Sequence, residues 1–198
     1  IDAAHVLNAT GRTPNVDGIG LDSVGIDYAP QGIRTDEYGR TSVPGIRACG
    51  DVTGRLLLAH SATREGIVAV NAMFGQPDRM RFRAVPSVVY THPEVAGVGY
   101  TEEELKDAGI AYRKSTTPMA VSGRFMIENP GQSGTVKVLV GEKYDEILGV
   151  HIIGDTCGEF IAIAALMLEM ELRVQDAAEV VFPHPTVCEA LKEAIVNA

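Results

Sequence analysis

The segment from Gly158 to Leu172 constrains the fold more than any other part of this sequence, because it has the length of a helix and is apolar on nearly every side. A helix of this kind is buried all round, either by its own domain or by another subunit. Its uncharged stretch, Phe160 to Leu168, is far shorter than the roughly 20 residues that a membrane-spanning helix needs. The segment therefore predicts a packed core or a subunit interface and no membrane span.

A charged segment at residues 77–83, which begins with Pro77, is the best candidate for a domain boundary. Before it, the pattern predicts a buried strand from Ala4 to Gly11, a short strand from Ile46 to Cys49 and a helix from Ala62 to Phe74. Gly75 is placed to end that helix. Its apolar side carries Ile67, Val70, Met73 and Phe74.

Beyond the boundary, strands and helices alternate without a βαβ rhythm, which predicts an α+β domain with a mostly antiparallel sheet and packed helices. The predicted strands are Val85–Tyr90, Val95–Tyr100, Ile110–Ser115, Thr135–Val140 and Ile147–Ile153, the last two joined as a hairpin. The predicted helices are Glu102–Ala108, Gly158–Leu172 and Val187–Val196. Each helix follows a Thr with a Glu three residues on, the capping-box pattern. The three pairs are Thr101/Glu104, Thr156/Glu159 and Thr186/Glu189.

Composition excludes several classes of function. Acidic residues outnumber basic ones 26 to 17, for a net charge of −9, and no Lys/Arg cluster could neutralise a run of phosphates, so nucleic acid is not an expected partner. Cys49, Cys157 and Cys188 lie far apart and show no zinc spacing, so neither a metal site nor a disulfide framework is predicted. No targeting segment opens the chain, and we expect a cytoplasmic protein.

Two groups of residues in the first part of the sequence could contact a ligand. Gly50-Asp51 ends a predicted strand, where a carboxylate can accept hydrogen bonds from ligand hydroxyls, although a simple turn explains the dipeptide alone. Ala59 lies at the start of the following helix, whose free N–H groups favour an electron-rich ligand. Together they fit a nucleotide-like cofactor.

His184 and Glu189, five residues apart, are a histidine and a carboxylate that could act as an acid/base pair. An imidazole, with an ordinary pKa of about 6.5, suits removal of a proton from a thiol of pKa near 8.5, and Glu189 is placed to orient the ring. The competing interpretation is that Thr186 and Glu189 only cap a helix, and the two roles are compatible. The remaining histidines, expected to be structural, are His5, His60, His92 and His151.

Several runs resemble the pyridine nucleotide-disulfide oxidoreductase family. Thr41 to Asp51 is similar to its second FAD motif, Ala9 to Asn15 to the end of its NAD(P) domain, and Leu57 to Gly66 to the stretch that reaches the flavin. Tyr90 to Gly99, Leu148 to Gly154 and His184 to Ala190 resemble the dimerisation domain of the dihydrolipoamide dehydrogenases within that family.

The resemblance implies three regions and a set of roles. Residues 1–15 would close an NAD-binding domain, 16–82 would complete an FAD-binding domain and 83–198 would form the interface domain of a homodimer. The implied NAD contacts are Ala9, Thr10, Gly11 and Arg12, and the implied FAD contacts are Gly50, Asp51, Leu58 and Ala59. His184 would be the acid/base, oriented by Glu189 and reaching the partner's flavin and disulfide. The implied substrate is the lipoyl domain of a 2-oxo acid dehydrogenase complex.

Two parts of the family's machinery are absent from the sequence: an N-terminal G-x-G-x-x-G and a pair of cysteines four residues apart, since no two cysteines lie closer than 31 residues. Because the chain also begins in mid-fold, we expect the C-terminal portion of such an enzyme, inactive alone and retaining little FAD. The alternatives are a related reductase for glutathione, mercuric ion or transhydrogenation, and a non-catalytic homodimerisation module.

Overall fold

The computed structural model describes residues 2–198. The chain divides into two compact units, Ile1–Met80 and Arg81–Ala198, and the division falls inside the charged segment 77–83. The assignment of residues 1–15, 16–82 and 83–198 to named domains of a family stays a prediction. None of the helices in residues 2–198 has the length and hydrophobicity needed to cross a bilayer.

The first unit contains little regular structure. Its elements are helix α1 (Leu21–Val24), the antiparallel strands β1 (Tyr28–Ala29) and β2 (Gly32–Ile33), a 3-10 turn at Gly50–Thr53 and helix α2 (Ala59–Met73). A small core contains Val16, Leu21, Ile26 and Ile33. The predicted end of α2 agrees with the structure, because Gly75 adopts the left-handed conformation one residue after the C-cap, Phe74.

Two sequence expectations for this unit were wrong. Residues 4–11 form no strand and are exposed, with Val6 and Leu7 about nine-tenths accessible, because no neighbouring strand pairs with them in the described chain. Residues 46–49 form only an isolated bridge, between Arg40 and Arg47. The apolar side of α2 is also exposed, and the buried side instead carries Ser61, Glu65, Val68 and Ala69.

The second unit is built on a five-stranded antiparallel sheet, as predicted. Its strands are β3 (Ser87–Val89), β4 (Val95–Gly99), β5 (Tyr112–Pro118), β6 (Thr135–Gly141) and β7 (Ile147–Ile153), in the order β3-β4-β7-β6-β5. Its helices are α3 (Glu102–Asp107), α4 (Gly123–Glu128), α5 (Cys157–Glu169), α6 (Val174–Ala178) and α7 (Glu189–Val196). The predicted β6–β7 hairpin is present. The predicted α+β class is confirmed.

One face of the sheet packs on α5 and α7 and forms the main core. Strand β6 contributes Val136, Val138 and Val140, while α7 contributes Leu191 and Ile195, all without solvent exposure. The prediction allowed α5 to be covered by its own domain or by another subunit, and the described chain covers only part of the helix. One stripe of this helix is open, where Leu166 and Met170, the residue that ends the helix, are each more than half exposed.

Of the three predicted capping boxes, one is complete. Thr101 accepts from the Glu104 N–H, and the Glu104 carboxylate accepts from the Thr101 N–H. The second is absent, because Thr156 has a φ of 74° and its side chain makes no cap hydrogen bond. The third, at Thr186 and Glu189, is half formed.

The Glu102 carboxylate ties α3 to two strands on the other face of the sheet. It lies 2.8 Å from Lys137 Nζ and 3.1 Å from Lys114 Nζ, and it accepts from the Tyr112 hydroxyl at 3.2 Å. The hydrogen bonds from these lysines lower its pKa from the ordinary 4.5 to about 2. Ionised Glu102 therefore stabilises the folded chain.

We predict that Glu102→Gln removes part of the acid sensitivity of folding. Since the folded pKa lies below the unfolded one, the stabilisation is complete above about pH 5 and is lost as the pH falls toward 2. Urea titrations should show a deficit on the order of 1–2 kcal/mol in the variant at pH 7, after allowance for solvent screening, that vanishes near pH 2. The control is the exposed neighbour, in Glu103→Gln; an equal deficit at pH 7 and pH 2 would contradict the assignment.

Candidate active site and cofactor contacts

Burial of one side of α7 determines where the candidate acid/base pair lies. Ala190, Leu191, Ala194 and Ile195 are fully buried in the core of the second unit. Glu189 is the first residue of that helix, so its backbone position is determined by the packing behind it. The segment 183–186, with His184, immediately precedes this buried helix.

The structure brings the two predicted catalytic residues together. His184 Nδ1 lies 2.8 Å from Glu189 Oε1, and the second carboxylate oxygen, Oε2, accepts from the Thr186 N–H at 2.8 Å. The carboxylate is mostly shielded, with 24% of the side chain exposed, whereas the His184 side chain is 82% exposed. A shielded carboxylate therefore holds one edge of an accessible imidazole.

Two hydrogen bonds keep Glu189 ionised. The Thr186 N–H and, after it, His184 lower the pKa of the Glu189 carboxyl group below its ordinary value. A carboxylate facing Nδ1 places the proton of the neutral ring on Nδ1, so the lone pair is on Nε2. The Nε2 atom has no hydrogen-bond partner among the described residues, and it is the atom available for proton transfer.

A second histidine in this unit has similar geometry but a different environment. His92 Nδ1 lies 2.6 Å from Asp155 Oδ2, so this ring also faces a carboxylate. Its Nε2, however, lies 2.9 Å from the Gln132 side-chain nitrogen, which also donates to Asp155. Because both ring nitrogens are engaged, the arrangement fits the structural role that we predicted for His92.

Thr186 and Glu189 form half of a capping box. The Glu189 carboxylate accepts from the Thr186 N–H, but the Thr186 hydroxyl donates to Pro183 O at 2.7 Å, lies 3.2 Å from Cys188 Sγ and accepts from no backbone N–H of the helix. The helix starts after Cys188, which is its N-cap. One oxygen of Glu189 thus stabilises the loop before α7 while the other holds His184, so the loop and ring contacts coexist.

In the first unit, two residues predicted to contact different cofactors meet each other. Arg12 Nη1 lies 3.3 Å from Asp51 Oδ2, and Arg12 Nη2 donates to Leu57 O. The Asp51 side chain is half exposed, so its carboxylate remains open to a further donor. The other predicted NAD contacts, Ala9, Thr10 and Gly11, lie in the exposed segment before Arg12.

The predicted flavin contacts surround the start of α2. Leu58 is the N-cap and provides no side-chain cap, so the first turn, beginning at Ala59, presents backbone N–H groups. Gly50 approaches this helix closely, since a Cβ there would lie 2.9 Å from Ala62 Cβ, and its φ is 76°. Glycine at this position lets the chain carrying Asp51 lie against α2.

Two polar residues that we did not single out from the sequence hold this arrangement. Glu65 is 7% exposed and accepts from the Gly50 N–H and from the Ser61 hydroxyl, both at 2.8 Å, and Ser61 is fully buried. Their i, i+4 spacing places both residues on one side of a helix, and this spacing could have identified the pair from the sequence. Glu65 joins the Gly50-Asp51 turn to α2, so it positions both groups of predicted FAD contacts.

No group of three or more His, Cys, Asp or Glu residues within positions 2–198 could hold a metal ion. The three cysteines are free thiols: Cys49 is exposed, Cys157 is buried and Cys188 is partly buried. Burial, together with nearby Glu94 and Asp155, raises the pKa of the Cys157 thiol to about 11. A thiol of that kind is a poor nucleophile at neutral pH.

Comparison with protein families gives two adjacent matches. Residues 85–195 match the family model described as "Pyridine nucleotide-disulphide oxidoreductase, dimerisation domain". Residues 1–66 match the model described as "Pyridine nucleotide-disulphide oxidoreductase". The resemblance read from the sequence is confirmed at the level of the family.

Similar curated proteins are dihydrolipoyl dehydrogenases. The chain is 45% identical to "Dihydrolipoyl dehydrogenase, mitochondrial" of Caenorhabditis elegans, with 100% of this chain and 40% of the relative covered. It is 38% identical to "Dihydrolipoyl dehydrogenase 3" of Pseudomonas putida, with 100% and 42% covered. The chain thus spans about two fifths of the length of these relatives.

Solved structures show the same fold. LpdA from Mycobacterium tuberculosis superposes with a TM-score of 0.85 at 28% identity, covering 92% of this chain and 40% of that one. The Cu(II) complex of the HOCl-induced flavoprotein disulfide reductase RclA from Escherichia coli gives 0.84 at 25% identity, covering 95% and 44%. The fold is therefore shared with flavoprotein disulfide reductases.

We predict that Glu65→Ala exposes the Gly50 amide to exchange and lowers the free energy of unfolding of the first unit by about 1–3 kcal/mol, because it leaves a buried N–H unpaired. Glu65→Gln should retain protection, since its amide can accept from Gly50 and donate to Ser61. Amide hydrogen exchange followed by NMR measures both effects, with exposed Glu37→Ala as the control. Unchanged Gly50 exchange in Glu65→Ala would refute the positioning role.

Proposed function

Because the chain belongs to the pyridine nucleotide-disulphide oxidoreductase family, we propose that it is part of a dihydrolipoyl dehydrogenase and supplies that enzyme's acid/base histidine and dimerisation domain. The observation that carries this proposal is the His184–Glu189 pair, in which a carboxylate holds Nδ1 at 2.8 Å and leaves Nε2 open. The names of the curated relatives support the substrate class.

The proposed role of His184 is to take a proton from a thiol of dihydrolipoamide. Neutral imidazole accepts the proton at Nε2, and the electron pair of the broken S–H bond stays on sulfur as a thiolate. The thiolate then attacks the redox disulfide of the complete protein, forming a mixed disulfide as the S–S bond breaks and its other sulfur leaves as a thiolate. Cys49, Cys157 and Cys188 are separate free thiols, so another segment of that protein provides the disulfide.

Glu189 supports this transfer in two ways. Its ionised carboxylate keeps the ring in the tautomer that exposes the Nε2 lone pair, and it stabilises the imidazolium formed when His184 takes the proton. The lowered pKa of Glu189 keeps the carboxylate charged at neutral pH.

The residues of the first unit fit part of an FAD site. The half-exposed Asp51 carboxylate can accept from hydroxyls of the ribityl chain, and the uncapped start of α2 at Leu58 and Ala59 can donate to electron-rich atoms of the flavin ring. Bound FAD would supply two-electron redox chemistry between the disulfide and NAD. Ala9 to Arg12 are the proposed contacts of NAD.

We place the working site in a homodimer formed through the second unit. A second copy of the chain would cover the open stripe of α5, with Leu166 and Met170, and would receive the exposed His184 side chain. The family model that matches residues 85–195 is a dimerisation domain, which supports this arrangement. The lipoyl domain of a 2-oxo acid dehydrogenase complex is the proposed carrier of the substrate.

In a complete protein that contains this chain, we predict that His184→Gln lowers dihydrolipoamide-dependent NAD reduction by about 10²-fold or more while flavin absorbance is retained, as expected for loss of a general base. The matched control is His92→Gln, which removes the other carboxylate-facing imidazole and should leave turnover within about two-fold. Near-normal turnover of His184→Gln would overturn the proposed function.

A further inference from the structure

The segment that carries His184 is held to itself by short hydrogen bonds. Thr186 Oγ1 donates to Pro183 O at 2.7 Å, and the Thr186 N–H donates to Glu189 at 2.8 Å. These bonds determine the internal shape of the segment. They do not by themselves explain what holds residues 183–186 against the rest of the second unit.

Ser122 supplies such a connection from 64 residues away. Its hydroxyl donates to Thr186 O at 2.9 Å and accepts from the Phe125 N–H at 3.1 Å, which makes Ser122 the N-cap of α4. Ser122 is 1% exposed and Phe125 is fully buried, so the hydroxyl is held by the core. Both the donor and an acceptor site of the hydroxyl are used, and its orientation is therefore defined.

The second unit thus contains a continuous chain of hydrogen bonds from its core to the candidate acid/base. It runs from the cap of α4 through Ser122 Oγ to the Thr186 carbonyl, from the Thr186 N–H to Glu189 Oε2, and from Glu189 Oε1 to His184 Nδ1. Loss of the Ser122–Thr186 hydrogen bond would free the Thr186 carbonyl and loosen the two peptide units that meet at Thr186, one of which carries the N–H held by Glu189.

We propose that Ser122 is a positioning residue for His184, acting through Thr186 and Glu189. The proposal deepens the proposed function and rests on it for its catalytic consequence, but its geometric content concerns this chain alone. The hydroxyl has two functions that can be tested separately. As an acceptor it caps α4, and as a donor it holds the segment 183–186 that carries His184.

Three substitutions separate these duties. Ser122→Ala removes both hydrogen bonds. Ser122→Asp keeps an acceptor for the Phe125 N–H but cannot donate to Thr186 O when ionised, and Ser122→Thr keeps a hydroxyl that does both. Thr101→Ala is the matched control, because it removes the N-cap hydroxyl of α3 at a different helix.

The readout is the tautomer of the neutral His184 ring, measured from its ¹⁵N shifts by NMR on the full chain above pH 8. We expect a predominant Nδ1–H form in the unsubstituted chain, in Ser122→Thr and in Thr101→Ala. In Ser122→Ala and Ser122→Asp, the Nε2–H population should rise by about two-fold or more, since the Glu189 hydrogen bond sets the tautomer.

An unchanged tautomer in Ser122→Ala overturns the proposal. An effect in Ser122→Ala that is absent from folded Ser122→Asp also overturns it, because the cap alone would then be responsible. If Ser122→Asp does not fold, the comparison of Ser122→Ala with Ser122→Thr and Thr101→Ala decides, and rescue by Ser122→Thr is the result expected.

In the complete protein, Ser122→Ala should lower kcat for dihydrolipoamide by about 10-fold or more with little change in KM, since misplacement of a reacting group by about 1 Å can cost up to 10²-fold. Unchanged kcat together with an altered tautomer would contradict the catalytic consequence. Failure of the proposed function is separate, because it appears as turnover in His184→Gln whatever the tautomer result.

Discussion

Burial of apolar side chains between the five-stranded sheet and helices α5 and α7 is the constraint on which the second unit depends. Val136, Val138 and Val140 from β6 meet the fully buried side of α7, so that helix has one rotational position and one depth. Glu189, its first residue, inherits this position. The geometry of the His184–Glu189 pair therefore depends on the packing of apolar side chains behind α7.

Each unit contains a Glu carboxylate whose two oxygens meet different partners. Glu65 accepts from the Gly50 N–H and the Ser61 hydroxyl, and Glu189 accepts from the Thr186 N–H and faces His184. In each case one oxygen accepts from backbone and the other meets a side chain. A backbone N–H restricts the carboxylate without adding a mobile partner, which suits a residue that must hold another group in place.

Local pattern was sufficient for the sheet, the hairpin and the principal helices, because alternating and helical periodicity reflect burial of one side. Local pattern was misleading where an apolar segment needs another surface to bury it. Residues 4–11 have the composition of a buried strand but pair with nothing in the described chain, and the open stripe of α5 has no covering surface there. Apolar composition by itself does not say which surface provides the cover.

The candidate acid/base pair was accessible through the family resemblance, which the chemistry of imidazole supports, whereas the residues alone also fit a helix cap. The contact that supports it was not, because Ser122 lies 64 residues from Thr186 and the two meet only in the folded chain, where Ser122 also caps α4. Thr186 also showed why a motif can mislead, since its hydroxyl bonds to Pro183 and only the Glu189 half of the box forms. Patterns over a few residues predict helices and strands, whereas contacts between residues far apart in the sequence become visible only in the folded structure.

The central claim, that His184 of one subunit serves the redox centre of its partner, is tested most directly by mixing two inactive forms of the complete protein. One carries His184→Gln, and the other lacks the redox cysteines. Random exchange of subunits makes half of the dimers mixed, each with one intact site, so about a quarter of the unsubstituted activity should return. Turnover that stays at the level of the separate variants, in samples shown to contain mixed dimers, would contradict the account.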